Sequence, residues 1–174
     1  MNRQKVKLSV LNTSTAEQFA TLCGSFFERS PWVAERAWER RPFASLDALH
    51  HELVAVVMHA PRKEQVVLID SHPDLVGRLA RRTDLTPESA AEQKAAGLDE
   101  LDVEEASLLD RYNREYRAKF GFPFVICARE NRKEAILAAF PARIAHNRNQ
   151  EIAAALAEIA KIARLRMNDS ISED

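Results

Sequence analysis

DVEEASLLDRYNREYRAKFGFPFVICA, residues 102–128, decides the fold. Asp102 and Glu105 stand three apart, the spacing of a reciprocal cap in which each side chain satisfies the other residue's exposed amide. Behind them Leu108, Leu109, Tyr112, Tyr116 and Phe120 recur at intervals that draw one apolar stripe down a helix. Gly121 stops that helix, because glycine takes the left-handed turn at a helix end without a steric penalty. The next residues, Phe122 to Ala128, break the pattern. Pro123 disfavours helix in Phe122. The aromatic and β-branched residues that follow suit an extended, buried piece. Helix is the rule here, and one short extended stretch is the exception.

The same punctuation recurs on both sides. Upstream, Ser14 with Glu17 reads as a capping box and Gly24 as the stop. Ser30 reads as an N-cap with Pro31 at the first helical position, for a helix carrying Trp32, Val33 and Trp38 that ends before Pro42. Ser45 opens a helix whose stripe is Leu46, Leu49, Leu53, Val56 and Val57, and Pro61 closes it. Gln65 to Ile69 is too short for periodicity to choose between helix and strand. His72-Pro73 is expected to open a helix to about Arg82, and Thr86-Pro87 opens the next, which Gly97 ends. Downstream, Asn131 with Glu134 caps a helix that Pro141 ends or kinks. A last helix carries Ile144, Ile152, Ala155, Leu156, Ile159 and Ile162. The expected fold class is all-α: a single irregular bundle of about eight helices with one short extended buried segment. Residues 1–167 are expected to form one domain, and 168–174 a flexible C-terminal tail.

Composition agrees. A chain of 174 residues, 46% hydrophobic and 29% charged, can bury a proper core. Only 4 Gly and 7 Pro favour helices over a turn-rich sandwich. The net charge of -1 supplies no basic field for nucleic acid. Cys23 and Cys127 stand apart in apolar company and read as reduced, buried thiols. No apolar run approaches the ~20 residues that cross a bilayer. Met1 to Val10 lacks the basic-then-apolar pattern of a secretion signal, and Ile171 to Asp174 carries no peroxisomal or lipidation signal, so the cytoplasm is the expected setting. His50, His51 and His59 share one helix without an HExxH pattern, and no metal site is expected. No Gly-rich phosphate loop and no GxSxG elbow is present.

Polar chemistry gathers elsewhere. His72 precedes a proline, where it serves either as a simple helix cap or as an acid–base group, since a free imidazole titrates near pH ~6.5. Ser89, Glu92 and Gln93 fall at i, i+3 and i+4 and share one helix face. That face is either solvated or a recognition edge whose carboxylate, amide and hydroxyl meet a polar ligand. Phe124, Val125, Ile126, Cys127 and Ala128 are either core filler or a strand whose unpaired backbone groups bond a ligand. Arg164 and Arg166 are surface charges unless one turns inward, where its fork suits a carboxylate.

Ser71-His72-Pro73-Asp74-Leu75, Ser89-Ala90-Ala91-Glu92-Gln93 with Ala96-Gly97-Leu98, and Lys119 to Cys127 together resemble a known family. It is that of 2-oxo-4-hydroxy-4-carboxy-5-ureidoimidazoline (OHCU) decarboxylase. The likeness continues through Ile136-Leu137, Arg143, Asn147, Glu151 and Lys161 to Arg166. The resemblance implies an all-α, cofactor-free enzyme of urate degradation, often a homodimer, that converts OHCU to (S)-allantoin and carbon dioxide. It implies catalytic roles for His72 and Glu92. It implies substrate contacts for Pro73, Ser89, Glu92, Gln93, the segment Phe124 to Ala128, and Arg166, with Arg164 the weaker alternative. Two competing classes stay open: a non-catalytic binding module that senses a purine breakdown product, and a structural domain with Trp32 and Trp38 as a partner face.

Overall fold

The computed structural model describes residues 5–75 and 85–174. Among the described residues the chain is mostly helical, with one two-stranded sheet, and it divides into two compact units. The first comprises residues up to Ser71 together with Ala160–Asp174; the second is His72–Ile159.

The first unit holds α1 (Leu8–Thr13), α2 (Ala16–Cys23), α3 (Trp32–Trp38), α4 (Leu46–His59) and α5 (Arg62–Asp70). It also contains residues 160–170 of α9 (Arg148–Ser170). Gln65 to Ile69 is therefore helical. Ser45 caps α4 as expected, its hydroxyl accepting from Ala48 N–H at 3.1 Å. Leu49, Leu53, Val56 and Val57 are buried along that helix. The cap of α2 is Thr15 rather than Ser14. Thr15 Oγ1 accepts from Gln18 N–H, and Gln18 Oε1 accepts from Thr15 N–H. Ser14 turns its hydroxyl back onto Leu11 O instead. Gly24 ends α2 in right-handed backbone and leads into a 3-10 turn, Gly24–Phe26, so its positive-φ freedom is not used. Ser30 makes no side-chain cap either; Pro31 takes the cap position and α3 begins at Trp32. Trp32 and Trp38 are half-buried, each under a guanidinium, Arg36 at 4.5 Å and Arg41 at 4.1 Å from the ring centroids.

Residues 168–174 depart from the expected tail. α9 runs on to Ser170, and β2 (Ile171–Ser172) pairs in parallel with β1 (Val6–Lys7), Val6 opposite Ile171. Ile171 is buried, and Glu173 accepts the Leu46 amide at the start of α4. A pairing partner 165 positions away in the chain leaves no local signature.

The second unit holds α6 (Pro87–Ala95), α7 (Val103–Phe120), α8 (Lys133–Ile144) and residues 148–159 of α9. Thr86, Pro87, Gly97, Asp102, Glu105 and Gly121 act as read. Thr86 caps α6, and Asp102 and Glu105 cap α7 reciprocally. Gly97 and Gly121 both have positive φ. Phe122 to Cys127 is outside any helix and largely buried, with Cys127 in extended backbone, and a 3-10 turn (Ala128–Glu130) follows. Asn131 does not cap α8. Its amide reaches back to Cys127 O at 2.9 Å, and Arg132 takes the cap position. Pro141 removes one hydrogen bond from α8 but does not end it. Ile144 closes α8, and α9 begins at Arg148 behind a reciprocal Asn147–Gln150 cap. The core contains an aromatic cluster among aliphatic side chains. Phe124 stacks on Phe140 with centroids 3.9 Å apart, and Tyr116 meets both edge-on.

Candidate active site

α6 supplies three of the expected side chains. Its N-terminus is fixed by Thr86 and Pro87, and the helical repeat then sets Ser89, Glu92 and Gln93 on one face. That face is not an ordinary solvated one: Ser89 is 6% exposed and Gln93 5%, with Glu92 half-buried. The large majority of buried polar side chains are hydrogen-bonded.

His72, 6% exposed, lies one residue past Ser71, the C-cap of α5. Residues 72–75 are irregular, so Pro73 does not open a helix there; the remainder of that expected helix lies outside the described residues. The segment is fixed by its neighbours. Gln93 Nε2 donates to Asp74 O at 3.4 Å, and Asn113 Nδ2 donates to Leu75 O at 2.7 Å. Arg117 pairs with the Asp74 carboxylate at 3.2 Å. The Gln93 bond ties the histidine-bearing loop to the helix that carries Glu92.

The extended segment meets the same helix. α6 packs on the turn Ala128–Glu130, and Lys133 N–H donates to Ala96 O at 2.9 Å. Burial pushes the Cys127 thiol up to about 11, and the charges of Glu130, Glu158 and Glu92 add to the rise. Glu92 is therefore within electrostatic reach of residue 127. Burial also pushes Cys23 up to about 12. A raised pKa extends the protonated thiol to higher pH, and the thiolate is the nucleophile. Both cysteines should stay unreactive toward a disulfide reagent at pH 8 in the native protein and react on denaturation. Rapid labelling of the folded chain at that pH would contradict this.

The second unit thus brings together His72, Pro73, Ser89, Glu92, Gln93 and the segment Phe124 to Ala128. Arg166 lies in the first unit. It is 6% exposed, and its Nη1 donates to Ser25 O and to the buried Glu28 carboxylate, each at 3.2 Å. Arg164 instead pairs with exposed Asp47. Of the two arginines, Arg166 is the one turned inward.

Two arrangements escaped the sequence reading. Glu151 is fully buried, accepts from Tyr116 Oη–H and from Arg143 Nε–H, and contacts His146 Nδ1 at 2.8 Å. Burial alone would lower the Arg143 pKa, but the hydrogen bond and charge of Glu151 raise it on balance. The second is Glu158, whose Oε2 accepts the Cys127 amide at 2.8 Å. Both carboxylates stand beside the apolar stripe of α9, and an ionisable group at such a position was the available signal. Among the described residues no three His, Cys, Asp or Glu side chains gather to hold a metal ion.

The family model for OHCU decarboxylase matches residues 12–168. The chain is 38% identical over 170 residues to a 2-oxo-4-hydroxy-4-carboxy-5-ureidoimidazoline decarboxylase of Haloferax volcanii, covering 98% of this chain and 99% of the relative. It is 40% identical over 161 residues to the enzyme of the same name from Amia calva, covering 92% of each. Among solved structures it is similar to an (S)-allantoin synthase, with a TM-score of 0.78 at 25% identity over 96% of this chain. The chain spans about half of that protein, 54% of its length.

Proposed function

The chain belongs to the OHCU decarboxylase family, and from that premise we propose that it converts OHCU to (S)-allantoin and carbon dioxide. The reading is supported above all by one observation. Within a single compact unit, an imidazole-bearing loop and a buried polar helix face are bonded together, Gln93 to Asp74.

The reaction is a decarboxylation followed by a directed protonation. The substrate carboxylate leaves as carbon dioxide. The C–C bonding pair moves toward the neighbouring ring carbon, and the ring C=N accepts the displaced electrons and a proton. An enol remains. Its hydroxyl proton departs, and the carbon bearing the ureido group is protonated on one face, which sets the product's handedness. The substrate carries its own electron sink, so its chemistry needs no added one.

His72 takes or orients the hydroxyl proton in this proposal. Glu92 and Gln93 hold the ureido and ring nitrogens, Glu92 as acceptor and Gln93 as donor and acceptor. Ser89, Pro73 and the backbone of Phe124 to Ala128 complete the binding surface, and Arg166 is assigned to an anionic oxygen. Acid–base catalysis contributes ~10²–10⁴-fold, about 3–5 kcal/mol of barrier, and orientation contributes the remainder. A homodimer and a cytoplasmic setting complete the proposal. Among the described residues no helix is long and apolar enough to cross a membrane.

Mixing the protein with freshly prepared OHCU and following circular dichroism tests this. Rapid appearance of one allantoin enantiomer is expected, and Glu92→Ala should weaken substrate binding and turnover together. No acceleration over the spontaneous reaction refutes the activity, and a racemic product refutes directed protonation.

A further inference from the structure

Two consecutive peptide planes of the extended segment are each gripped at one end. Arg143 Nη2 donates to Val125 O at 3.3 Å, and Cys127 N–H donates to Glu158 Oε2 at 2.8 Å. The cis peptide recorded among the described residues is Arg41–Pro42, so both of these planes are trans. In a trans plane the carbonyl and the following amide point opposite ways. Fixing Val125 C=O therefore fixes the direction of Ile126 N–H. Fixing Cys127 N–H likewise fixes Ile126 C=O. Neither of these Ile126 groups meets a protein partner among the described residues.

The arginine grip is itself braced. Arg143 Nε donates to Glu151 at 2.6 Å, its Cζ lies 4.8 Å over the Phe124 ring, and its side chain is 12% exposed. Glu151 is held in turn by Tyr116 and His146. A planar guanidinium fixed along one edge has its remaining donor aimed by geometry rather than by choice of rotamer.

We propose that Arg143 and Glu158 are positioning residues that hold the Ile126 N–H and C=O as a donor–acceptor pair for the substrate's amide edge. The proposal rests on the decarboxylase reading above. OHCU and allantoin both carry ureide N–H and C=O groups side by side, which complement such a pair. A backbone pair has no rotamer to lose on binding. Its aim is set by whatever holds the other ends of its two planes.

Titration of (S)-allantoin into uniformly 15N-labelled protein reads this without turnover. The Ile126 amide resonance should shift on binding. Glu158→Ala and Arg143→Lys should each weaken allantoin about tenfold, one aligned hydrogen bond's worth. In OHCU assays their rise in KM should exceed any fall in kcat. Glu158→Gln keeps a side-chain carbonyl at the same reach and should recover most of the affinity. Near-ultraviolet circular dichroism identifies the folded variants, and Glu158→Ala alone suffices if Arg143→Lys does not fold. An Ile126 amide indifferent to allantoin overturns the proposal, as does wild-type affinity in a folded Glu158→Ala, even with OHCU turnover intact. A wild-type protein that does not turn over OHCU overturns the reading beneath and this proposal with it.

Discussion

His72→Ala lowers kcat for OHCU at least ~100-fold while the protein stays folded, the loss expected when an acid–base group is removed. The fold should survive because the loop does not hang from the imidazole alone. Its main chain is held at Asp74 by Gln93 and at Leu75 by Asn113, and the Asp74 carboxylate is held by Arg117. The ring is one buried group of modest size in a loop bonded at three other points. Steady-state kinetics beside a thermal melt separate the two effects. A near-normal rate in a folded variant would remove the proton-transfer role from His72 and leave Glu92 as the candidate.

Glu151→Ala is expected to cost about 3–5 kcal/mol of stability, the range seen when one partner of a buried ion pair is removed. The carboxylate is fully buried and receives Arg143, Tyr116 and His146. Without it, a guanidinium only 12% exposed is left in the interior without its carboxylate. For a chain of this length the melting midpoint should fall by about 10 °C. The double variant Glu151→Ala with Arg143→Met should recover part of the loss, because it removes the stranded charge. Denaturant melts of the two singles and the double measure this directly. A single variant within about 1 kcal/mol of wild type would show that the cluster contributes little to stability.

Local chemistry was legible and distant pairing was not. Gly121, Gly97, Thr86-Pro87 and the Asp102–Glu105 box each act within four residues of themselves, and each sits where its spacing places it. Neighbouring cap formers were harder to separate. Ser14 and Thr15 both offer a hydroxyl, and the choice fell to Thr15 because Ser14 already bonds Leu11 O and its own carbonyl accepts from Trp38 and Arg41. His72-Pro73 has the composition of a helix start, but contacts to Asn113 and Gln93 hold the following residues irregular through Leu75. The site followed the same rule. Ser89, Glu92 and Gln93 share a face by arithmetic on one helix, whereas the grip of Glu158 on Cys127 spans 31 positions and depends on how α9 packs.

The first unit is sewn from two distant lengths of chain, residues 5–71 and 160–174, joined at a two-residue parallel ladder. On a ribosome these lengths emerge far apart in time. Residues 72–159 are contiguous and can collapse as they appear. The helices translated earliest must wait for Ile171 before their sheet can close, so the part made first is finished last.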